Sequence, residues 1–269
     1  MPVRATRGLL PILVCALLFP LAAEACGVSA GVDRGPLRLV ADDPEPATGL
    51  RLSFLGHASF LIETPGGISV VTDYNGVNIP DRPPTIATMN HAHPTHYSLD
   101  PDPRITYVLH GWRDDGQPAR IDLTVGDIHL RNLPTNIRAW SGGGTEMYGN
   151  SVFVFESAGV CIAHLGHLHH LLTAEDLAVL GPIDVAIVPV DGMWTLSHED
   201  MVKVVDSLHA PITIPMHYYT RSILSRFLAL VRDRYTIREA EGPVVLSPGS
   251  VATQAASGAE ILILPGPPG

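Results

Sequence analysis

Short apolar runs bounded by turn residues fill the first two-thirds of the chain, and helical spacing enters only afterwards. Runs at 51–55 and 59–63, joined by Gly56-His57-Ala58, predict two strands. A third strand, 67–73, enters a Pro-rich loop at 78–84. The short run 85–89 leads directly into a histidine cluster. Further strands are predicted at 105–109, 121–125 and 127–133. The segment 141–150 carries three consecutive glycines and reads as a loop. The runs 151–156 and 160–163 form a hairpin-like pair that ends at a second histidine cluster.

The rhythm then changes. Thr173 followed by Ala-Glu-Asp marks a helix start with acids in its first turn. A wholly apolar strand follows at 184–190, and then a helix at 197–208 with Ser197 as its cap and Glu199 and Asp200 near the positive end of its dipole. A strand at 212–216, a helix at 221–233 and late strands at 244–246 and 261–264 complete the pattern. No internal repeat occurs, and the Pro-Gly tail at 265–269 is expected to fray. Each histidine cluster follows a strand, which suits a site built along one edge of a β core.

Composition narrows the class. Of 269 residues 46% are hydrophobic and 16% charged, enough for a sizeable core. The formal net charge of -10, with no basic stripe, argues against nucleic acid as a partner. The N-terminus has the order of a signal peptide over 1–25: Arg4 and Arg7, an apolar run, then Ala23-Glu24-Ala25. That run is short for a membrane span, which takes about 20 residues. Export to the periplasm or beyond is therefore expected, with a flexible tether at 26–50 and one domain over 51–269. Cleavage makes Cys26 the first residue, so plain secretion and membrane attachment through a lipidated Cys26 are both open. Cys161, in an apolar strand, reads as a small buried hydrophobe.

The chemistry lies in the histidines. One cluster holds His91, His93 and His96; another holds His164, His167, His169 and His170; His217 follows a strand further on. Neutral imidazole is the commonest protein metal ligand. If the first segment is extended, His91 and His93 point the same way, and a turn at Pro94 returns His96 toward them. Three separated segments converging on one point is what a metal site needs. His110, His129, His198 and His209 read as ordinary surface or core residues. Asp191, the carboxylate after the apolar strand, is open between a pocket role and a turn role.

Taken in order, these motifs resemble the metallo-β-lactamase superfamily, in particular its UlaG-like metallo-hydrolase branch. Phe54-Leu55-Gly56-His57-Ala58-Ser59-Phe60-Leu61-Ile62 resembles that branch's first hairpin. Asp73 resembles the acid ending its third strand. His91-x-His93-x-Thr95-His96 sits where the family has His-x-His-x-Asp-His, and His164-Leu165-Gly166-His167 where it has His-x-Gly-Asp. Pro215-Met216-His217 resembles the last ligand segment. The resemblance implies an α+β fold, a four-layer αββα sandwich, over about 51–264. It implies one metal on His91, His93 and His164 and a second on His96 and His217, with His57 and Asp73 behind the ligands. It implies a hydrolase that uses metal-bound water on an ester, lactone, amide or phosphodiester bond of a small molecule.

Two family carboxylates are missing: Thr95 and His167 stand in their places. If His167 coordinates, the second set becomes His96, His167 and His217. Thr95 cannot act as a base, and a contact to water or backbone is its expected role. Nitrogen-only ligation favours zinc, copper or nickel over manganese or magnesium, and one or two Zn2+ ions are the expectation, with other divalent transition metals open. Two rival functions remain: a metal-binding or interaction protein that has lost catalysis, and an all-histidine dinuclear copper redox protein.

Overall fold

The computed structural model describes residues 48–139 and 143–267. The expected signal peptide, and the tether up to residue 47, lie outside the described residues. Fourteen strands and four helices occur among the described residues. The first half contributes β1 (Leu50–Gly56), β2 (Ser59–Glu63), β3 (Ser69–Val71), β4 (Ile86–Met89), β5 (Tyr107–His110), β6 (Asp122–Val125), β7 (Ile128–Arg138), β8 (Thr145–Ser157) and β9 (Val160–His164). The second half alternates: α1 (Ala174–Leu180), β10 (Val185–Pro189), α2 (His198–Leu208), β11 (Ile212–Met216), α3 (Arg221–Val231), β12 (Thr236–Glu239), β13 (Val244–Leu246), α4 (Pro248–Ser257) and β14 (Glu260–Ile263).

These strands make two sheets. One has the order β13-β1-β2-β3-β4-β5, the other β12-β14-β11-β10-β9-β8-β7-β6. Strict alternation in β1 turns Leu50, Leu52 and Phe54 inward. They join Phe60, Ile62 and Ile86 of the first sheet and Leu130, Phe153, Phe155 and Ile162 of the second in one core. β9, β10 and β11 are buried along their whole length, as expected of parallel strands covered on both faces. Helix α1 packs on β7, α2 on β10, α4 on β11 and α3 on α2, so the helices cover the eight-stranded sheet. A smaller cluster covers the outer face of the other sheet, where Val71, Ala87 and Met89 meet loop residues Tyr74, Tyr97, Ile105 and Trp112.

Most expected elements are present, and the three expected helices are capped: Thr173, Ser197 and Thr220 each accept a backbone N–H three residues on. Three features depart from expectation. The Gly-rich segment expected as a loop becomes strand from Thr145, because β7 continues to Arg138 and supplies a partner. β12 is a polar edge strand with no apolar alternation to announce it. α4 is built of small residues after a Ser-Pro cap, with a weak apolar face. Cys161 is wholly buried as expected, and it is disulfide-bonded. No helix among the described residues is long and apolar enough to cross a membrane.

Direction sets the location of the site. β9, β10 and β11 run parallel, so their carboxyl ends meet at one edge. His167 follows the first, Asp191 the second and His217 the third. β4 of the other sheet ends at Met89 and delivers Asn90 to His96 to the same edge. The β1–β2 turn delivers His57, whose carbonyl accepts from His217 N–H at 2.7 Å across the sheets.

Candidate metal centre

Four histidines converge at this edge. One ring nitrogen from each of His57, His93, His96 and His217 lies within 4.8 Å of the others. Three of the four are buried. Nε2 of His96 and Nε2 of His217 are 3.0 Å apart. Nitrogens sharing a tetrahedral ion at about 2.0–2.1 Å would lie about 3.3–3.4 Å apart, close to what is seen. The ring of His167 packs edge-on against His93, His96 and His217 at 4.9, 5.1 and 5.2 Å between centroids. Both nitrogens of His167 are buried with no hydrogen-bond partner. Orphaned buried nitrogens cost free energy unless something binds them, so the donor set fits a transition-metal ion.

Among the four converging rings, each has a carboxylate or hydroxyl behind it. Asp73 Oδ2 is 2.5 Å from His96 Nδ1, and Asn90 donates to Asp73 Oδ1. Asp191 Oδ2 lies 3.1 Å from His217 Nδ1. Thr95 Oγ1 bridges His57 Nε2 at 2.8 Å and His93 Nδ1 at 2.7 Å. A histidine whose second nitrogen meets a carboxylate or another acceptor is the usual arrangement behind a metal. His57, Asp73 and His217 also hold left-handed backbone angles, φ 55°, 42° and 58°. Such non-glycine conformations store local strain and concentrate at functional sites.

Burial drives the electrostatics. Desolvation, then the neighbouring rings, pushes His57 down to about 3, His93 to about 4 and His167 to about 2. His96 is lowered for the same reasons, while burial raises Asp73 against the Asn90 hydrogen bond. Burial would also raise Asp191, but His217, the Thr195 hydroxyl and the Met193 N–H outweigh it and hold its carboxyl low. Burial thus holds His57, His93, His96 and His167 toward the neutral form, the state a metal requires.

Of the residues expected from sequence, His93, His96 and His217 are brought together and His167 packs against them. His57, expected behind the ligands, is a member of the group. Asp73 stands behind His96 as expected. His91 and His164 lie outside the group. The exposed His91 directs Nδ1 to Glu146 at 2.9 Å and stacks on Trp112. His164 is wholly buried, donates from Nε2 to the Ala58 carbonyl and accepts the Gly166 N–H at Nδ1, so both nitrogens are committed. Asp191 does both things left open for it: it caps the amides of Met193, Trp194 and Thr195 and touches His217.

Gly166 explains the close approach of the second cluster. Its φ is 58°, and a Cβ there would lie 2.4 Å from Asn150 Oδ1 and 2.5 Å from Asn90 Nδ2. Asn90 ties the sheets together by accepting from Ser151 N–H, while Asn150 fixes the second cluster by accepting from His167 N–H and donating to the Leu165 carbonyl.

The chain is similar to known proteins. The family described as the beta-lactamase superfamily domain matches residues 51–217. A UPF0173 metal-dependent hydrolase of Methanoculleus marisnigri is 27% identical over 219 residues, 74% of this chain and 95% of that protein. A second such hydrolase, from Pyrococcus furiosus, is 26% identical over 74% of this chain and 97% of its own length. Among solved structures, a putative Zn-dependent hydrolase of the metallo-beta-lactamase superfamily from Thermotoga maritima superposes with TM-score 0.57 and 25% identity, covering 80% of this chain and 98% of that one.

Proposed function

The chain belongs to the beta-lactamase superfamily domain family, and from that premise we propose that it is an exported metal-dependent hydrolase of a small-molecule ester, lactone, amide or phosphodiester. In this reading His57, His93, His96 and His217 hold the ion, with His167 against it. One observation carries the reading: four convergent ring nitrogens, whose four rings are backed by Asp73, Asp191 and, for two of them, Thr95. The relatives named metal-dependent hydrolases support it. Nitrogen-only donors suit zinc, our choice of metal, with copper and nickel as competitors.

Bound there, such an ion supplies Lewis acidity to the scissile group and lowers the pKa of water. The chain's own residues orient and tune the donors. Thr95 decides which nitrogens are free. If both His57 Nε2–H and His93 Nδ1–H donate to Thr95 Oγ1, the hydroxyl acts as a double acceptor. His57 Nδ1 and His93 Nε2 then carry lone pairs. If the hydroxyl donates to either ring, that ring keeps its proton on the remaining nitrogen and is lost as a donor. Thr95 thus serves as an acceptor where the family's carboxylate would stand. Asp73 and Asp191 do the same for His96 and His217.

Export is part of the proposal, supported by the leader-like order of residues 1–25. A disulfide at Cys161 suits an oxidising compartment. Removing residues 1–25 takes away Cys15 and leaves Cys26 as the one cysteine of the same chain able to pair with Cys161. If Cys26 is that partner, its sulfur cannot also carry a thioether-linked lipid, which would favour plain export over a lipid anchor. Peptide mapping of exported protein without reductant is expected to give a Cys26–Cys161 cross-link, and an acylated Cys26 would contradict it.

Hydrolysis is tested on a panel of esters, lactones, amides and phosphodiesters before chelation, after it, and after zinc is restored. Turnover that is lost and regained with zinc is expected. Zinc bound tightly with no turnover on any panel member would make the protein a metal binder instead.

A further inference from the structure

The exposed large apolar side chains are not scattered. Val179, Leu230 and Ile237 stand singly on helices or the sheet edge, which is ordinary. The other eight among the described residues, including Val77, Leu99, Met147, Met193, Trp194 and Tyr219, instead sit on loops and strand ends near the histidine segments. Met193 and Trp194 are 71% and 53% exposed. Their amides are held by Asp191 Oδ1, the same carboxylate whose Oδ2 contacts His217. The Tyr219 ring lies 5.3 Å from His57 and 5.7 Å from His217. Val77 is 81% exposed on a loop that Asn75 ties to the Thr95 carbonyl. Met147 follows Glu146, the partner of His91. Leu171 adjoins His170, whose ring accepts the Asn136 N–H, and Asn136 in turn accepts the Tyr148 N–H beside Met147.

Exposed apolar side chains thus sit on segments that neighbour a polar, metal-ready floor, with Tyr219 in ring contact with it. Clustered exposed apolar surface around a site marks what binds there. We propose that the substrate of this site carries a long apolar acyl or alkyl chain, which lies on the rim formed by Trp194, Met193, Tyr219 and Val77 while the cleavable bond reaches the histidines. This rests on the hydrolase reading above and names its substrate class. The formal net charge of -10 disfavours an anionic bilayer as the occupant, because like charge repels it. A rim centred on the histidines instead favours what enters the site.

Binding is measured calorimetrically on the zinc-loaded full chain with butanoate, octanoate and dodecanoate, none of which needs to be turned over. The shared carboxylate keeps head-group contacts constant, so the chain-length trend reports the rim. Dodecanoate is expected to bind at least about 100-fold tighter than butanoate, well under the limit for burying eight methylenes. Trp194→Ala is expected to weaken dodecanoate about 10-fold, to leave butanoate unchanged and to leave zinc content unchanged. A flat chain-length trend overturns the proposal. So does co-sedimentation with phosphatidylcholine vesicles that Trp194→Ala abolishes while dodecanoate affinity stays the same, since the rim would then meet a membrane. Absence of hydrolysis on the panel would sink the hydrolase reading and leave the chain-length trend standing.

Discussion

His96 and His217 come from different sheets, one following β4 and the other β11, and their Nε2 atoms face each other at 3.0 Å. Two imidazoles in that position make one hydrogen bond at most, whereas an ion between them is offered two lone pairs. Each ring is backed by its own carboxylate, Asp73 for His96 and Asp191 for His217. The pair closes the site across the sheet interface, and the variants below ask which other side chains belong with it.

His57→Ala is expected to lose most of the bound metal, whereas His91→Ala keeps it. His57 is a member of the convergent group, while His91 is exposed and turned to Glu146. Elemental analysis of the two purified variants gives the answer. Retention in His57→Ala with loss in His91→Ala would restore the ligand set implied by the resemblance.

Thr95→Val removes the acceptor and keeps the shape. Loss of such a supporting group typically costs about 10–100-fold in metal affinity. Competition with a chromophoric chelator is expected to show a drop of that size for Thr95→Val and near-parental affinity for Thr95→Ser, which keeps the hydroxyl. Equal affinity in Thr95→Val and the parent would remove Thr95 from the support of the site.

The metal-free protein should lose stability on mild acidification. His57, His93 and His167 are held at about 3, 4 and 2, below the ordinary 6.5. Between those values and 6.5 the unfolded chain binds protons that the folded chain refuses. Their contribution is therefore present above about pH 6.5 and falls as pH drops toward 4, by up to about 1.4 kcal/mol per pH unit for each of His57 and His167 and by less for the partly exposed, solvent-screened His93. Asp73, raised by burial, acts in the opposite sense, and three histidines outweigh it. Urea unfolding at pH 7, 6 and 5 measures the slope; a flat profile would contradict it.

Much of the site was legible because its residues follow strands. His93, His96 and His217 lie just past β4 and β11, and the order of motifs along the chain pointed to them. His91 was expected beside His93 on the argument that extended residues two apart share a face. The segment is a turn instead, closed by His96 N–H on the His93 carbonyl, and period two does not hold there. His57 was seen only as support, since its convergence depends on a turn between β1 and β2 reaching the other sheet. The contact of Asp191 with His217 depends on β10 lying beside β11, and strand neighbours cannot be read from apolar runs. The apolar rim was invisible for a related reason: its residues are far apart in sequence and each alone looks ordinary.

A histidine group drawn from both sheets is expected to hold at least one transition-metal ion. Metal content per chain, measured on the parent and on His96→Ala and His217→Ala, tests it most directly. At least one ion per parent chain is expected, with near-complete loss in both variants and an unchanged circular dichroism spectrum. Full stoichiometry in either variant with the fold intact would contradict it.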